Sequence, residues 1–140
     1  EEAEAYARSA GKRLPTLAEY KALALAMTKA LGKRLTENDC NVNKPRLRIT
    51  PVSRAFRDSF NGIVGIAGNV REWCRKEGRA QADIFGMSWF DTWRDNWDKA
   101  PAPRPYAPDG RDDYTGFRCA VDAVPAGPAP GPATAGGGGQ

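Results

Sequence analysis

Gly65-Ile66-Ala67-Gly68-Asn69-Val70-Arg71-Glu72-Trp73-Cys74 is the stretch on which the reading of this chain turns. Its two glycines, three residues apart, mark a loop. Residues 70–74 then form a short apolar and aromatic run with strand character. Asn69 and Glu72 are placed to tie down backbone donors of a buried loop, since buried amides need partners.

Two similar runs lie further on, at residues 85–89 and 116–121. Between Asp98 and Gly110, the prolines Pro101, Pro103, Pro105 and Pro108 forbid regular structure. From residue 125 to 140, 14 of 16 residues are Gly, Ala or Pro. Such a segment buries too little surface to offset chain entropy, so residues 124–140 read as a disordered tail and 1–123 as the domain. Before the central stretch, residues 33–69 carry Pro45, Pro51, Gly62, Gly65 and Gly68 and read as loops with short strands.

The first part of the chain is helical. Residues 1–10 are rich in Ala and Glu, and Gly11 is a natural stop. Thr16 followed by Glu19 is a capping box that starts a second helix. Leu17, Tyr20, Leu23, Ala24 and Met27 recur at helical spacing and predict its core face, and Gly32 predicts its end near Leu31. Two helices followed by a loop-rich β region give an α+β class.

Composition removes several chemistries. The chain has 140 residues, three cysteines and no histidine. It cannot supply a Ser-His-Asp or Cys-His pair, nor a His-ligated zinc or iron site. The cysteines read either as reduced buried thiols or as one disulfide plus a free thiol. The net charge is +4. Residues 1–60 hold 12 basic and 7 acidic side chains, whereas residues 61–140 hold 9 and 10. The aromatic-rich half is thus the slightly acidic one, which argues against nucleic acid as a partner. No apolar run approaches the roughly 18 residues of a membrane span, and no secretory signal is legible. The expected location is cytoplasmic by default, or display on a surface or phage.

Five segments, in order, resemble the formylglycine-generating (sulfatase-modifying factor) family. They are Gly11-Lys12-Arg13-Leu14-Pro15-Thr16 with the helix before it, Thr50-Pro51-Val52, residues 65–74, Gly86-Met87-Ser88-Trp89, and Gly116-Phe117-Arg118-Cys119-Ala120. The resemblance implies a C-type-lectin-like fold: two helices packed on small antiparallel sheets with extensive loops. The chain begins at the family's first helix, which implies a piece lacking the N-terminal strands. The resemblance also implies that oxidases of the family keep a copper-binding cysteine pair between the last two motifs. Residues 89–115 contain no Cys. Iron-dependent relatives use a histidine triad, and this chain has no His. No catalysis and no cofactor are therefore expected. The alternative is a divergent oxidase or an accessory domain of one.

Residues 86–118 further resemble the variable region of target proteins of diversity-generating retroelements, down to Pro108-Asp109-Gly110-Arg111 and Gly116-Phe117-Arg118. That resemblance implies a display protein whose ligand, a protein, is read by side chains rewritten by a reverse transcriptase. The implied ligand-binding positions are Phe90, Asp91, Thr92, Trp93, Arg94, Asp95, Asn96, Trp97, Tyr106, Gly110, Asp112, Asp113 and Tyr114. Their chemistry is that of a paratope, aromatics interleaved with Asp, Asn and Arg; the opposing reading makes the aromatics domain core. Trp73, Trp89 and Phe117 are expected in the core. Glu72 stands where relatives can bind calcium, but Gly65 replaces one oxygen ligand, so no metal is expected. Arg118 is expected to pair with Glu72 or Asp109, and Arg13 to bond the scaffold. Lys29, Lys33 and Arg34 are expected to form a solvated helix end.

Overall fold

The structure is a computed structural model; it describes residues 1–44, 47–51, 53, 56–78, 82–99, 110–124 and 127. The expected tail falls almost wholly outside these residues.

Helix α1 spans Glu2–Ser9 and helix α2 spans Leu17–Leu31. The cap of α2 forms as its sequence predicts. Glu19 N–H donates to Thr16 Oγ1 at 3.1 Å, and Thr16 N–H donates to Glu19 Oε2 at 2.8 Å. Such a cap stabilises a helix by about 1 kcal/mol. Arg13 grips the same carboxylate through two nitrogens, at 2.7 and 2.8 Å, and reaches Asp122 at 2.7 Å. The Arg13 hydrogen bond is the main reason the Glu19 carboxyl is lowered to about 2. Gly32 ends the helix in the left-handed region at φ 67°. Of the expected core face, Tyr20, Ala24 and Met27 are buried, and Leu17 and Leu23 pack against the core part-buried.

Lys29, Lys33 and Arg34 at the helix end are exposed, as expected, and two of them are also tethered. Lys33 donates to both oxygens of Asp39 at 3.0 Å, beside a short 3-10 turn at Glu37–Asp39, and Arg34 donates to the Asp95 carbonyl at 2.6 Å. Long basic stems folded back onto the loops that follow put these charges into ion pairs.

Three strands follow: β1 at Arg71–Trp73, β2 at Ile84–Phe85 and β3 at Thr115–Gly116. β1 is central. It pairs antiparallel with β2 (Glu72 opposite Phe85) and parallel with β3 (Glu72 opposite Gly116). The α+β class holds, but this sheet is mixed, not antiparallel throughout. The strand expected at 85–89 stops at Gly86, whose φ of 82° turns the chain away. Met87 and Trp89 N–H groups donate instead to the loop carbonyls of Ala67 (2.8 Å) and Asn69 (3.0 Å). The run at 116–121 likewise contributes only its start to the sheet, then an isolated antiparallel bridge between Ala120 and Arg13.

The core gathers α2, the loops around Cys40 and Ala67, and β2. Tyr20 stacks on Phe85 with ring centroids 5.0 Å apart. Burying a side chain of this size stabilises the fold by about 1.5–3 kcal/mol. Two expected core aromatics point outward instead: Trp73 is half-buried and Phe117 is 40% exposed. Successive side chains of an extended segment face opposite sides. Glu72 and Arg118 point inward to meet each other, so their neighbours Trp73 and Phe117 point out. Trp89, at 8%, is buried as expected. Among the described residues, no helix is long and apolar enough to cross a membrane.

Candidate binding face

Two hydrogen-bonded devices, one half-buried and one buried, support the segments that carry the candidate residues. The first is Asn69, held at φ 74°. Its Oδ1 accepts from Asn41 Nδ2 (3.0 Å), Thr50 N–H (2.9 Å) and Thr50 Oγ1 (3.1 Å). Beside it, a Cβ on Gly68 would meet the Asn41 carbonyl and Val42 at 3.0 Å, so a side chain there would push these neighbours back by a few tenths of an ångström. The second device is the Glu72 carboxylate. Tyr20 donates its hydroxyl to it, and Arg118 clamps both oxygens, at 2.5 and 2.6 Å. Arg118 also donates to the carbonyls of Val64 and Gly65. Burial pulls the Arg118 guanidinium down, but the Glu72 hydrogen bond more than offsets it and the net direction is upward. Of the two partners expected for Arg118, Glu72 is the one engaged, while Asp109 lies outside the described residues. With three hydrogen bonds from two side chains on it, Glu72 is committed to the scaffold. Among the described residues, no three His, Cys, Asp or Glu side chains form a group that could hold a metal.

On this base sits the segment after Ser88. The Arg71 guanidinium, on β1, closes on Asp91, with Nε to Oδ2 at 2.7 Å and a second bond from Nη2 to Oδ1. Asp91 also accepts from Ser88 N–H at 2.6 Å. Burial raises the Asp91 carboxyl, but the Arg71 and Ser88 hydrogen bonds outweigh it and hold it below the usual range. The other side of Arg71 lies 5.4 Å from the Tyr114 ring centroid. Tyr114 stacks on Phe90 at 5.8 Å and 14°. Phe90 is 61% exposed. Below it Trp89 makes an edge contact at 5.6 Å, and Arg48 lies over the Trp89 ring at 5.8 Å. A rigid, solvent-facing aromatic pair is thus mounted on an ion pair.

The expected ligand-binding residues divide into two groups. Phe90, Thr92, Asp95, Asn96 and Asp113 are exposed, and Tyr114 is half-buried within the stack. The others have scaffold work. Trp97 is not on the face at all: it is 2% exposed and packs edge-on against Phe85 at 5.9 Å, inside the core. Asp91 is held in the half-buried ion pair with Arg71. Arg94 donates to the Gly86 carbonyl at 2.9 Å. Trp93 packs partly against the core and donates to Asp95 at 3.0 Å. Asp112 shapes a turn by accepting from Tyr114 N–H and Thr115 Oγ1, both at 3.0 Å. Gly110 lines a cleft of about 630 Å³ with Trp73 and Phe117. Tyr106 lies outside the described residues.

Arg71 and Arg48 were not legible as members of the face. Their partners lie 20 and 41 residues away, and no local pattern signals them. The three cysteines are free: Cys40 and Cys74 are buried and Cys119 is half-buried. Burial pushes the Cys74 thiol up to about 12 and Cys40 higher still, which keeps both as inert thiols.

Residues 1–123 match the family model described as "Sulfatase-modifying factor enzyme 1-like domain". A relative named "Formylglycine-generating enzyme", from Streptomyces coelicolor (strain ATCC BAA-471 / A3(2) / M145), is 40% identical over 91 residues, covering 52% of this chain and 29% of the relative. A solved structure titled "Crystal Structure of CarF" superposes with a TM-score of 0.56 at 23% identity, covering 77% of this chain and 46% of that one. The chain therefore spans less than half the length of either.

Proposed function

This chain belongs to the family of sulfatase-modifying factor enzyme 1-like domains, and from that premise we propose that it works as a non-catalytic binding domain. Its fold is the α+β, C-type-lectin-like one. The observation that carries the reading is Phe90, exposed at 61% yet stacked on Tyr114 above the Arg71–Asp91 pair. A large apolar ring already held in place in solvent has little ordering cost left to pay on binding, and aromatic anchors are among the side chains that carry most interface energy. The oxidase chemistry expected of relatives needs a soft thiolate pair after Ser88, and residues 89–115 offer none. Asp91 is engaged by Arg71 and is not a free carboxylate.

The partner is a protein, met by Phe90 and Tyr114 at the centre and by Thr92, Asp95, Asn96 and Asp113 around them. The finer reading is that this face is diversified by a retroelement reverse transcriptase. The exposed Phe90, Thr92, Asn96 and Asp113 suit rewriting; Asp95 suits it less, because it accepts from Trp93 Nε1 at 3.0 Å. Asp91, Arg94 and Trp97 suit it poorly.

The purified chain, given copper, oxygen and a cysteine-containing peptide, should form no aldehyde from the cysteine side chain by mass spectrometry, beyond the disulfide that copper and oxygen produce without protein. Turnover would overturn the binding-domain reading in favour of a divergent oxidase. The diversification reading requires a near-copy of codons 86–118, close by in the genome, with adenines at the exposed positions. A locus without that copy removes diversification and leaves the binding reading standing.

A further inference from the structure

Asp58 lies beneath the loop that anchors the binding face, and it is 1% exposed. Its Oδ2 accepts from the N–H groups of Ala67 (3.2 Å) and Gly68 (2.9 Å), and its carbonyl accepts from Ile66 N–H at 2.9 Å. Three successive loop residues hang from this one aspartate. Its other oxygen, Oδ1, is buried without a hydrogen-bond partner. A second buried acceptor, Asn41 Oδ1, is also without one, and both residues line one cavity of about 490 Å³. Asn41 cannot turn over to donate, because its amide nitrogen is already engaged with the Arg48 carbonyl (2.8 Å) and Asn69 Oδ1 (3.0 Å). An ionised Asp58 therefore adds a second bare acceptor to the cavity. A proton on Oδ1 turns that acceptor into a donor. Both loop amides stay on Oδ2, more weakly than on a carboxylate, so the preference for the protonated form rests on the cost of burying an uncompensated charge and not on those two bonds.

We propose that Asp58 is a proton-operated latch: protonated, it holds the 66–69 loop tight, and on ionisation the loop loosens together with the segment that carries Phe90. The coupling is covalently short. The Ala67 carbonyl holds Met87 N–H at 2.8 Å, and the Asn69 carbonyl holds Trp89 N–H at 3.0 Å. Phe90 is the next residue.

The charged and titratable neighbours leave the carboxylate without a dedicated counter-charge. Cys40, from the preceding loop, is a thiol kept protonated by burial. Arg118, from the chain's closing segment, is clamped on Glu72 of β1. Cys119, half-buried, lines the same cavity. Arg57, adjacent in sequence, is largely exposed and faces Asp39. Burial raises the Asp58 carboxyl to about 6, partly opposed by the Gly68, Ala67 and its own backbone amides and by the Arg118 charge. The transition thus falls in the range where the protein meets ordinary changes of pH. This holds whether or not a partner binds the face.

Carbon-detected NMR of the Asp58 carboxyl should show a titration midpoint near 6. Amide-exchange protection at Met87 and Trp89 should fall about tenfold or more between pH 5 and pH 7.5, after correction for intrinsic exchange. In Asp58→Asn, protection at both sites should be independent of pH and match the acid form. A wild-type midpoint below 4.5, or pH-independent protection in the wild type, overturns the latch. So does an Asp58→Asn protein that keeps the wild-type pH dependence. If Asp58→Asn does not fold, the wild-type titration and protection factors decide alone.

Discussion

Arg71 and Asp91 join the central strand to the loop after β2 by a two-pronged ion pair in which each side chain is only 15% exposed. The pair holds the segment that carries Phe90, and it also places the guanidinium against Tyr114. Removing one member leaves the other charge buried without its partner, which typically costs 3–5 kcal/mol for a fully buried pair. For this partly exposed pair, Asp91→Ala should lower stability by about 2–3 kcal/mol in urea unfolding. Replacing both residues by apolar ones should cost less than Asp91→Ala alone, because no charge is then stranded.

Trp97 and Phe90 are both aromatic and seven residues apart, yet they should behave oppositely. Trp97→Ala empties a core position and should cost about 3–5 kcal/mol. Phe90→Ala removes a ring that already faces water and should cost under about 1 kcal/mol, mostly its stack on Tyr114. Thermal unfolding of the two variants at one pH checks this. Similar losses in both would place Phe90 in the core.

Arg118 cannot be replaced conservatively. Its planar guanidinium serves both Glu72 oxygens and two carbonyls. Lysine offers a point charge on a flexible stem and cannot reproduce the fork. Arg118→Lys should therefore lose about 2 kcal/mol or more, and Arg118→Ala should lose about 3–5 kcal/mol. Circular dichroism melts of the two variants beside wild type provide the check.

The pH dependence of stability should carry two opposite contributions. Asp58 has a folded-state value raised to about 6 from 3.8. Its stabilising contribution is complete below about pH 4 and is lost as pH rises through 6, in all about 3 kcal/mol. Asp39 is lowered to about 2, chiefly by the Lys33 hydrogen bond. Its contribution is present above about pH 4 and is lost as pH falls through 2. Stability should therefore peak in mild acid. Asp58→Asn should flatten the alkaline side of that peak and leave the acid side in place, as seen in melting temperature against pH.

The sequence was legible where its signals are local. The Thr16–Glu19 box, the spacing from Leu17 to Met27 and the Gly32 stop describe α2 almost to the residue. The motif order also led to the family. What escaped depends on partners distant in the chain. Residues 90–97 carry no periodicity, so nothing separated buried Trp97 from exposed Phe90. Asp91 looked like a contact residue because its partner, Arg71, is 20 positions away. Trp73 and Phe117 were placed inside on motif membership. Alternation would have placed them outside, once Glu72 and Arg118 were taken as an inward-facing pair. Asp58 gave no sign in the sequence, since its role comes entirely from the backbone that folds over it.

The central claim is that Phe90, Thr92, Asn96 and Asp113 form a face free to vary over a fixed support. Randomising these four positions together, and selecting the library for binding to one defined folded protein, tests it most directly. The account predicts folded binders whose melting temperatures stay within about 5 °C of the parent, since surface substitutions away from buried partners change stability by about 0.5 kcal/mol or less. A library that is mostly unfolded, or folded but without any binder, would contradict it.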